Sequence, residues 1–106
     1  YDQALLAFKS FLKDYPDSAF SSNAQYWIGE VNYVMQNYEI AINEYQALLN
    51  TYPNSQKISH ALLKIGYSYA ELDNIADAKK ILKEVIRQYP DTTVSRLANE
   101  RLRKIK

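Results

Sequence analysis

Cysteine is absent from this chain of 106 residues, and glycine, proline and histidine occur two, three and one times. Without cysteine there is no disulfide framework and no cysteine-based zinc site, and one histidine is too few for the usual zinc ligand sets. The sequence therefore predicts no metal site and no cofactor. The scarcity of glycine disfavours a hairpin-rich β protein. An all-α chain is predicted instead.

The chain also lacks a long apolar run and a strong excess of charge. No run approaches the ~20 residues that span a bilayer, and no charged-then-apolar leader is present, so we expect a soluble chain without direct membrane insertion. Residues 1–53 carry a net charge of about −4 and residues 54–106 about +5. One basic terminal helix is too small a field for nucleic acid, so no nucleic-acid partner is predicted.

The three prolines mark an internal repeat. They lie in the segments Tyr15-Pro16, Tyr52-Pro53 and Tyr89-Pro90, which are spaced 37 residues apart both times. The same shift aligns small residues along the chain: Ala4 with Ala41 and Ala78, Ala24 with Ala61 and Ala98, and Gly29 with Gly66. A fixed period of this length indicates an array of repeated units. The alanines and glycines are predicted to lie where helices approach each other closely.

Each period contains two stretches with apolar residues three and four positions apart, as in an amphipathic helix. The predicted helices are residues 2–15, 20–36, 38–51, 57–73, 75–88 and 94–104. A proline disfavours helical geometry in the residue before it, so the prolines end every second helix. Residues that cap a helix or form a turn follow each proline: Asp17, Asn54 and Asp91. We expect one array over residues 1–106, with a half repeat (1–18), two repeats (19–55 and 56–92) and a terminal helix (93–106).

The spacing within the repeats resembles the tetratricopeptide pattern W-x2-L-G-x2-Y, A-x3-F and P. Two segments follow it: Leu62, Ile65, Gly66, Tyr69, Ala78, Leu82 and Pro90, and Gln25, Ile28, Gly29, Asn32, Ala41, Tyr45 and Pro53. The period is 37 residues instead of 34, and Gln25 and Asn32 stand where bulky residues are usual. The resemblance implies a right-handed solenoid of about six antiparallel helices that binds proteins.

Several longer segments resemble a narrower family of proteins. The segments Tyr15-Pro16-Asp17-Ser18, Asn23-Ala24-Gln25-Tyr26-Trp27-Ile28-Gly29-Glu30 and Arg101-Leu102-Arg103-Lys104-Ile105-Lys106 resemble the C-terminal domain of a Tol-Pal-associated family of periplasmic proteins. The resemblance implies a periplasmic scaffold for cell division that binds components of the Tol system or a peptidoglycan synthase. A tetratricopeptide module of another envelope complex, such as one for outer-membrane protein assembly, is the alternative.

No arrangement typical of catalysis is found. The single histidine, His60, neighbours Ser59 within a predicted helix, where consecutive side chains point to different sides. Gly29 and Gly66 are isolated within helices and form no phosphate-binding loop. The sequence therefore predicts a protein that is not an enzyme.

Partner binding is expected on the concave side, which the first helix of each pair lines. Helical spacing places ten residues on this predicted groove: Asn23, Tyr26, Trp27, Glu30, Tyr33, His60, Leu63, Lys64, Tyr67 and Glu71. Trp and Tyr are enriched among interface anchors, so a protein or peptide segment is the expected partner. The alternative is that Tyr26 and Trp27 belong to the core.

A different class of function is self-association. The first predicted helix has no partner helix before it in the sequence, which leaves Leu5, Phe8 and Leu12 in need of cover. The chain could therefore form a homo-oligomer or exchange helices between copies.

Overall fold

The computed structural model describes residues 1–105, and along them it contains six α-helices and no strand. The helices are Asp2–Asp14 (α1), Ser21–Val34 (α2), Tyr38–Thr51 (α3), Ile58–Glu71 (α4), Ile75–Gln88 (α5) and Thr93–Lys104 (α6). Helices that follow one another in the chain pack together, and α4 also contacts α6. The prediction of an all-α tetratricopeptide-like solenoid is confirmed.

Two helices end two residues earlier than the sequence predicts. Gln36 and Asp73, which were placed inside the helices, have positive φ angles of 65° and 62° and therefore stop them. The amide of Asn37 donates to the carbonyl of Asn32 at 2.9 Å, across the left-handed residue. This bond satisfies a carbonyl of the last turn and is typical of a helix C-terminus.

Hydrogen bonds to side-chain hydroxyl groups stabilise the loops after the prolines. Three side chains at the same register accept amide hydrogen bonds at the starts of α2, α4 and α6: Ser18 from Phe20, Ser55 from Lys57, and Thr92 from Ser95. The residues predicted to cap or turn stand one position earlier, and their side chains do not accept these bonds: Asp17, Asn54 and Asp91. Asp91 instead forms the turn, with a φ of 62°.

The glycines lie where the two helices of each complete repeat approach each other closely. A β-carbon at Gly29 would lie 2.5 Å from Cε1 of Tyr45, and one at Gly66 would lie 2.7 Å from Cδ2 of Leu82. Both distances are too short for any side chain. The alanines at the predicted contacts are buried as well: Ala24, Ala41, Ala61, Ala78 and Ala98. The interpretation of these small residues as packing sites is confirmed.

Candidate partner-binding face

The first helices of the successive pairs, α2, α4 and α6, share one side of the array, which we call the first-helix face. Side chains on this face bridge from each first helix to the next. The Lys64 Nζ of α4 lies 3.5 Å from Oε1 of Glu30 in α2, and the Arg101 Nη1 of α6 lies 3.7 Å from Oε1 of Glu71 in α4. The three helices are therefore linked by two ion pairs across the face.

The same two cations lie over tyrosine rings. Lys64 Nζ is 4.4 Å from the centroid of the Tyr33 ring, and the Arg101 guanidinium carbon is 4.1 Å from that of Tyr67. Both rings are half-buried. Such contacts are worth about 0.5–1 kcal/mol at partly exposed sites. They hold the rings in place while leaving part of each ring open to a partner.

Burial of the two tyrosines affects their acidity. It raises the pKa of Tyr33 and of Tyr67 above the ordinary value, although the positive charge of Arg101 opposes the shift in both. The phenols therefore remain neutral hydrogen-bonding groups at neutral pH. The face consequently offers aromatic surface, phenolic hydroxyls and paired charges to a partner.

The N-terminal part of the face is built around Tyr26 and Trp27. Tyr26 is 6% exposed, and its ring packs edge-on against Trp27 at a centroid distance of 5.6 Å. It also contacts His60 at 6.5 Å. Trp27 is 45% exposed, so of these two neighbouring aromatic residues one lies inside and the other lies on the surface.

A part-buried hydrogen bond supports the face from below. The hydroxyl of Tyr45, on α3, donates to the carboxylate of Glu30. The pKa of Tyr45 is raised first by burial and then by this bond and by the charge of Glu30. Glu30 thus touches both the Tyr45 hydroxyl beneath it and Lys64 beside it, which fixes its position.

The structure divides the ten predicted groove residues into two groups. Eight reach the surface at least in part: Asn23, Trp27, Glu30, Tyr33, His60, Lys64, Tyr67 and Glu71. Tyr26 and Leu63 lie instead in the core, where Tyr26 packs with Tyr45 and Leu63 packs with Leu82. These two positions are equivalent by the 37-residue shift, and both side chains pack against the second helix of their repeat. A role of the surface residues in binding stays a prediction.

Arg101 is the main residue of the face that the predicted groove does not include. It contacts Tyr67 and Glu71, both of which the prediction names. The repeat carries the signal that would have found it, because Trp27, Lys64 and Arg101 are 37 residues apart. Extending the register into the terminal helix places Arg101 on the same face as the other two.

Two further properties of residues 1–105 bear on function. Within that range no group of three or more His, Cys, Asp or Glu residues is arranged to hold a metal ion. The helices there are also too short and too polar to cross a bilayer.

The comparisons with known proteins agree with the fold. The tetratricopeptide repeat profile matches residues 1–18, 23–55 and 60–92. The chain is also similar to the cell division coordinator CpoB of Escherichia coli, with 53% identity over 32 residues. The same protein of Pseudomonas putida is 56% identical over 32 residues. Each match covers 30% of this chain and only 12% of the relative's length. The chain belongs to the tetratricopeptide repeat family.

Proposed function

We propose that this chain is a non-catalytic protein-interaction module that acts in the periplasm as part of a cell-division coordinator. The observation that carries the proposal is the line of half-exposed aromatic and cationic side chains along α2, α4 and α6. The similarity to the cell division coordinator CpoB supports the biological setting. That similarity does not favour a module for outer-membrane protein assembly.

Binding would use one register position of each repeat. Trp27, Lys64 and Arg101 are equivalent by the 37-residue shift, and each lies on a successive first helix. A partner segment that runs across the three helices would meet an aromatic anchor first and then two cation–tyrosine pairs. Because Glu30 and Glu71 already pair with the two cations, the face would recognise shape and aromatic contact more than net charge.

The partner we propose is a protein or peptide segment of the Tol system or of a peptidoglycan synthase. The whole array, with the half repeat 1–18, the repeats 19–55 and 56–92 and the terminal helix 93–106, would act as one binding unit. Interfaces of this kind depend on a few anchors surrounded by weaker contacts. We expect Trp27 and Tyr67 to be anchors, because both rings are partly exposed on the face.

The test is direct binding of the purified chain to purified periplasmic Tol-system proteins and peptidoglycan synthases by calorimetry. Truncating an anchor costs ~2 kcal/mol or more of binding, so Tyr67→Ala should weaken affinity by about 30-fold. Trp27→Ala should weaken it while melting near the parent, because nearly half of its ring is exposed. Lys83→Ala, at an exposed position on α5, is the control and should bind as the parent does.

Two results would contradict the proposal. One is that none of these proteins binds the parent chain. The other is that Tyr67→Ala and Trp27→Ala, while folded, bind as tightly as the Lys83→Ala control. In the second case the site lies elsewhere, and the basic surface around Arg96 and Arg103 is the next region to test.

A further inference from the structure

A cleft lies between the two tight turns that join the helices of the complete repeats, the turn from α2 to α3 and the turn from α4 to α5. It consists of two adjoining depressions of about 250 Å³ and 280 Å³, and Glu39 and Leu72 line both of them. We call it the inter-turn cleft. Helix α1 precedes the first of these turns and α6 follows the second, so the cleft lies within the array.

Part of the lining of the cleft is apolar. Ile42 belongs to a core cluster against which Tyr69 and Leu72 pack, and these three side chains line one depression. Ile40 lines the other depression and is 50% exposed. The 37-residue shift places Asp77 at the position of Ile40 in the next repeat, so the fold does not require an apolar residue there. Exposed apolar surface of this kind, next to polar groups, is typical of a contact site for another molecule.

Amide side chains surround the apolar part of the cleft. Four of them line the two depressions: Gln36, Asn37, Asn43 and Asn74. Asn37 and Asn74 precede α3 and α5, yet their side chains accept no capping hydrogen bond. Within residues 1–105 the four amide groups make no hydrogen bond to the protein. Because an amide group both donates and accepts, such a rim matches the N–H and carbonyl groups of a peptide backbone.

The charge around the cleft has one sign. Glu39 lines both depressions, Asp73 lies between Leu72 and Asn74 in the chain, and Asp77 follows on α5. These three acidic residues are exposed, and within residues 1–105 none of them forms an ion pair. No lysine or arginine lines either depression. The electrostatic potential of the cleft therefore favours a positively charged partner.

We propose that the inter-turn cleft binds an extended segment of a partner protein in which aliphatic residues are flanked by lysine or arginine. Alternate side chains of an extended segment lie on the same side, so two aliphatic residues at positions i and i+2 would enter the two adjoining depressions. The backbone of the segment would form hydrogen bonds with the amide side chains of the rim. A neighbouring basic residue would pair with Glu39.

This inference goes beyond the proposed function, because the cleft is a second site with a different chemistry. The cleft adjoins the first-helix face where the ring of Tyr38 packs edge-on against Tyr33, at a centroid distance of 5.3 Å. On that face Lys64 and Arg101 are each paired with a glutamate, so the charges there are balanced. The acidic residues of the cleft have no such counter-charge, and the segment that it binds is therefore basic.

The probes are two synthetic pentapeptides with blocked ends, Lys-Ile-Lys-Leu-Lys and Glu-Ile-Glu-Leu-Glu. They carry the same aliphatic side chains and opposite charges. Each peptide is titrated into the isotope-labelled full chain, and the backbone amide signals are followed by nuclear magnetic resonance. We expect the lysine peptide, at up to millimolar concentration, to give saturable shifts centred on residues 36–43 and 69–74. The glutamate peptide should leave these signals unchanged.

Two variants with matched controls test the side chains of the cleft. Ile40→Ser should weaken binding of the lysine peptide about tenfold, because an aliphatic contact is lost. Leu6→Ser removes an exposed aliphatic side chain from α1 and should bind as the parent does. Glu39→Gln should weaken binding by about two- to fivefold, which is the range of an exposed ion pair. Glu100→Gln, at an exposed position on α6, is its control and should have no effect.

Any of four results would overturn the proposal. The lysine peptide gives no saturable shift, or its largest shifts lie on the first-helix face. The glutamate peptide binds equally well, which would mean apolar contact without recognition of charge. Ile40→Ser binds as tightly as Leu6→Ser. The parent forms a dimer in sedimentation that Ile40→Ser dissociates, which would assign the cleft to a second copy of the chain. None of these results depends on Tol-system binding, so the outcome stands apart from that of the proposed function.

Discussion

The two ends of the array are built from the same repeat but present different surfaces. At the N-terminal end, Phe8, Phe20 and Trp27 line an open groove. At the C-terminal end, α6 buries Val94 and Ala98 against the array. Its outward positions carry the exposed residues Asn99 and Arg103, where the preceding first helix has Leu62 and Gly66. Equivalent repeat positions therefore carry apolar side chains in the N-terminal part of the array and polar ones on α6.

The comparison separates the backbone pattern from the side chains that use it. The turns repeat at the same register along the chain, where the hydroxyls of Ser18, Ser55 and Thr92 each accept an amide hydrogen bond. A single register position decides how closely the next helix can pack against a first helix. It is occupied by Gly29, Gly66 and then Arg103. The backbone pattern thus stays regular along the array while the side chain at this one register position changes from glycine to arginine.

The largest expected effect compares the same register position inside the array and at its N-terminal end. Tyr45 is fully buried, whereas Phe8 is half-buried and lines the groove. Removal of a buried aromatic ring costs about 3–5 kcal/mol, so Tyr45→Ala should lose this much free energy of unfolding. Phe8→Ala should lose less than about 2 kcal/mol, because part of its ring already contacts water. Urea denaturation measures both values, and equal losses would show that Phe8 is covered.

The next effect concerns the alanines on the first helices. Ala61 is fully buried beneath α2 in a complete repeat, so Ala61→Leu should cost about 1–3 kcal/mol through overpacking. Ala24 occupies the equivalent position but lines the open groove between α1 and α2, which has room for a larger side chain. Ala24→Leu should therefore cost less than about 1 kcal/mol. Thermal melting compares the pair, and a neutral Ala61→Leu would contradict the assigned alanine contacts.

The helices and their contacts could be predicted from the sequence because the same residue pattern recurs in each repeat. Prolines at a fixed spacing set the ends of α1, α3 and α5, and the apolar stripes set the buried sides. The two glycines could be assigned to close packing because they share one register. The early ends of α2 and α4 could not, because left-handed geometry at Gln36 and Asp73 has no glycine to signal it.

The candidate site was harder to predict than the fold. Helical spacing places Tyr26 and Leu63 on the same stripe as Trp27 and Lys64, but it does not say where the surface ends and the contact with the next repeat begins. That boundary depends on the angle between helices, which the pattern of a single helix does not contain. The sequence predicts that Leu5, Phe8 and Leu12 are the apolar side chains without a packing partner at the N-terminal end. The most exposed rings there are instead Tyr1, Phe20 and Tyr15, at 71%, 67% and 59%.

The smallest expected effect uses the hydroxyl that distinguishes Tyr45 from Phe8 at the same register. Burial raises the pKa of Tyr45, and the hydrogen bond to Glu30 and the charge of that carboxylate raise it further. In the unfolded chain the phenol ionises near pH 10. Between that pH and the higher pKa of the folded state, only the unfolded chain releases the proton. The stability that this tyrosine contributes is therefore complete below about pH 10 and is lost as the pH rises above it.

Each such group should lower the free energy of unfolding by about 1.4 kcal/mol per pH unit above pH 10. Tyr45→Phe should make the decline between pH 10 and pH 11 shallower by about 1 kcal/mol, since the unfolded phenol is only half ionised at pH 10. Tyr26→Phe should act in the same direction, because burial also raises the pKa of Tyr26. Urea titrations at several alkaline pH values give the slopes. An unchanged slope in Tyr45→Phe would mean that the Tyr45 phenol ionises alike in both states, and its hydrogen bond to Glu30 would then not hold in solution.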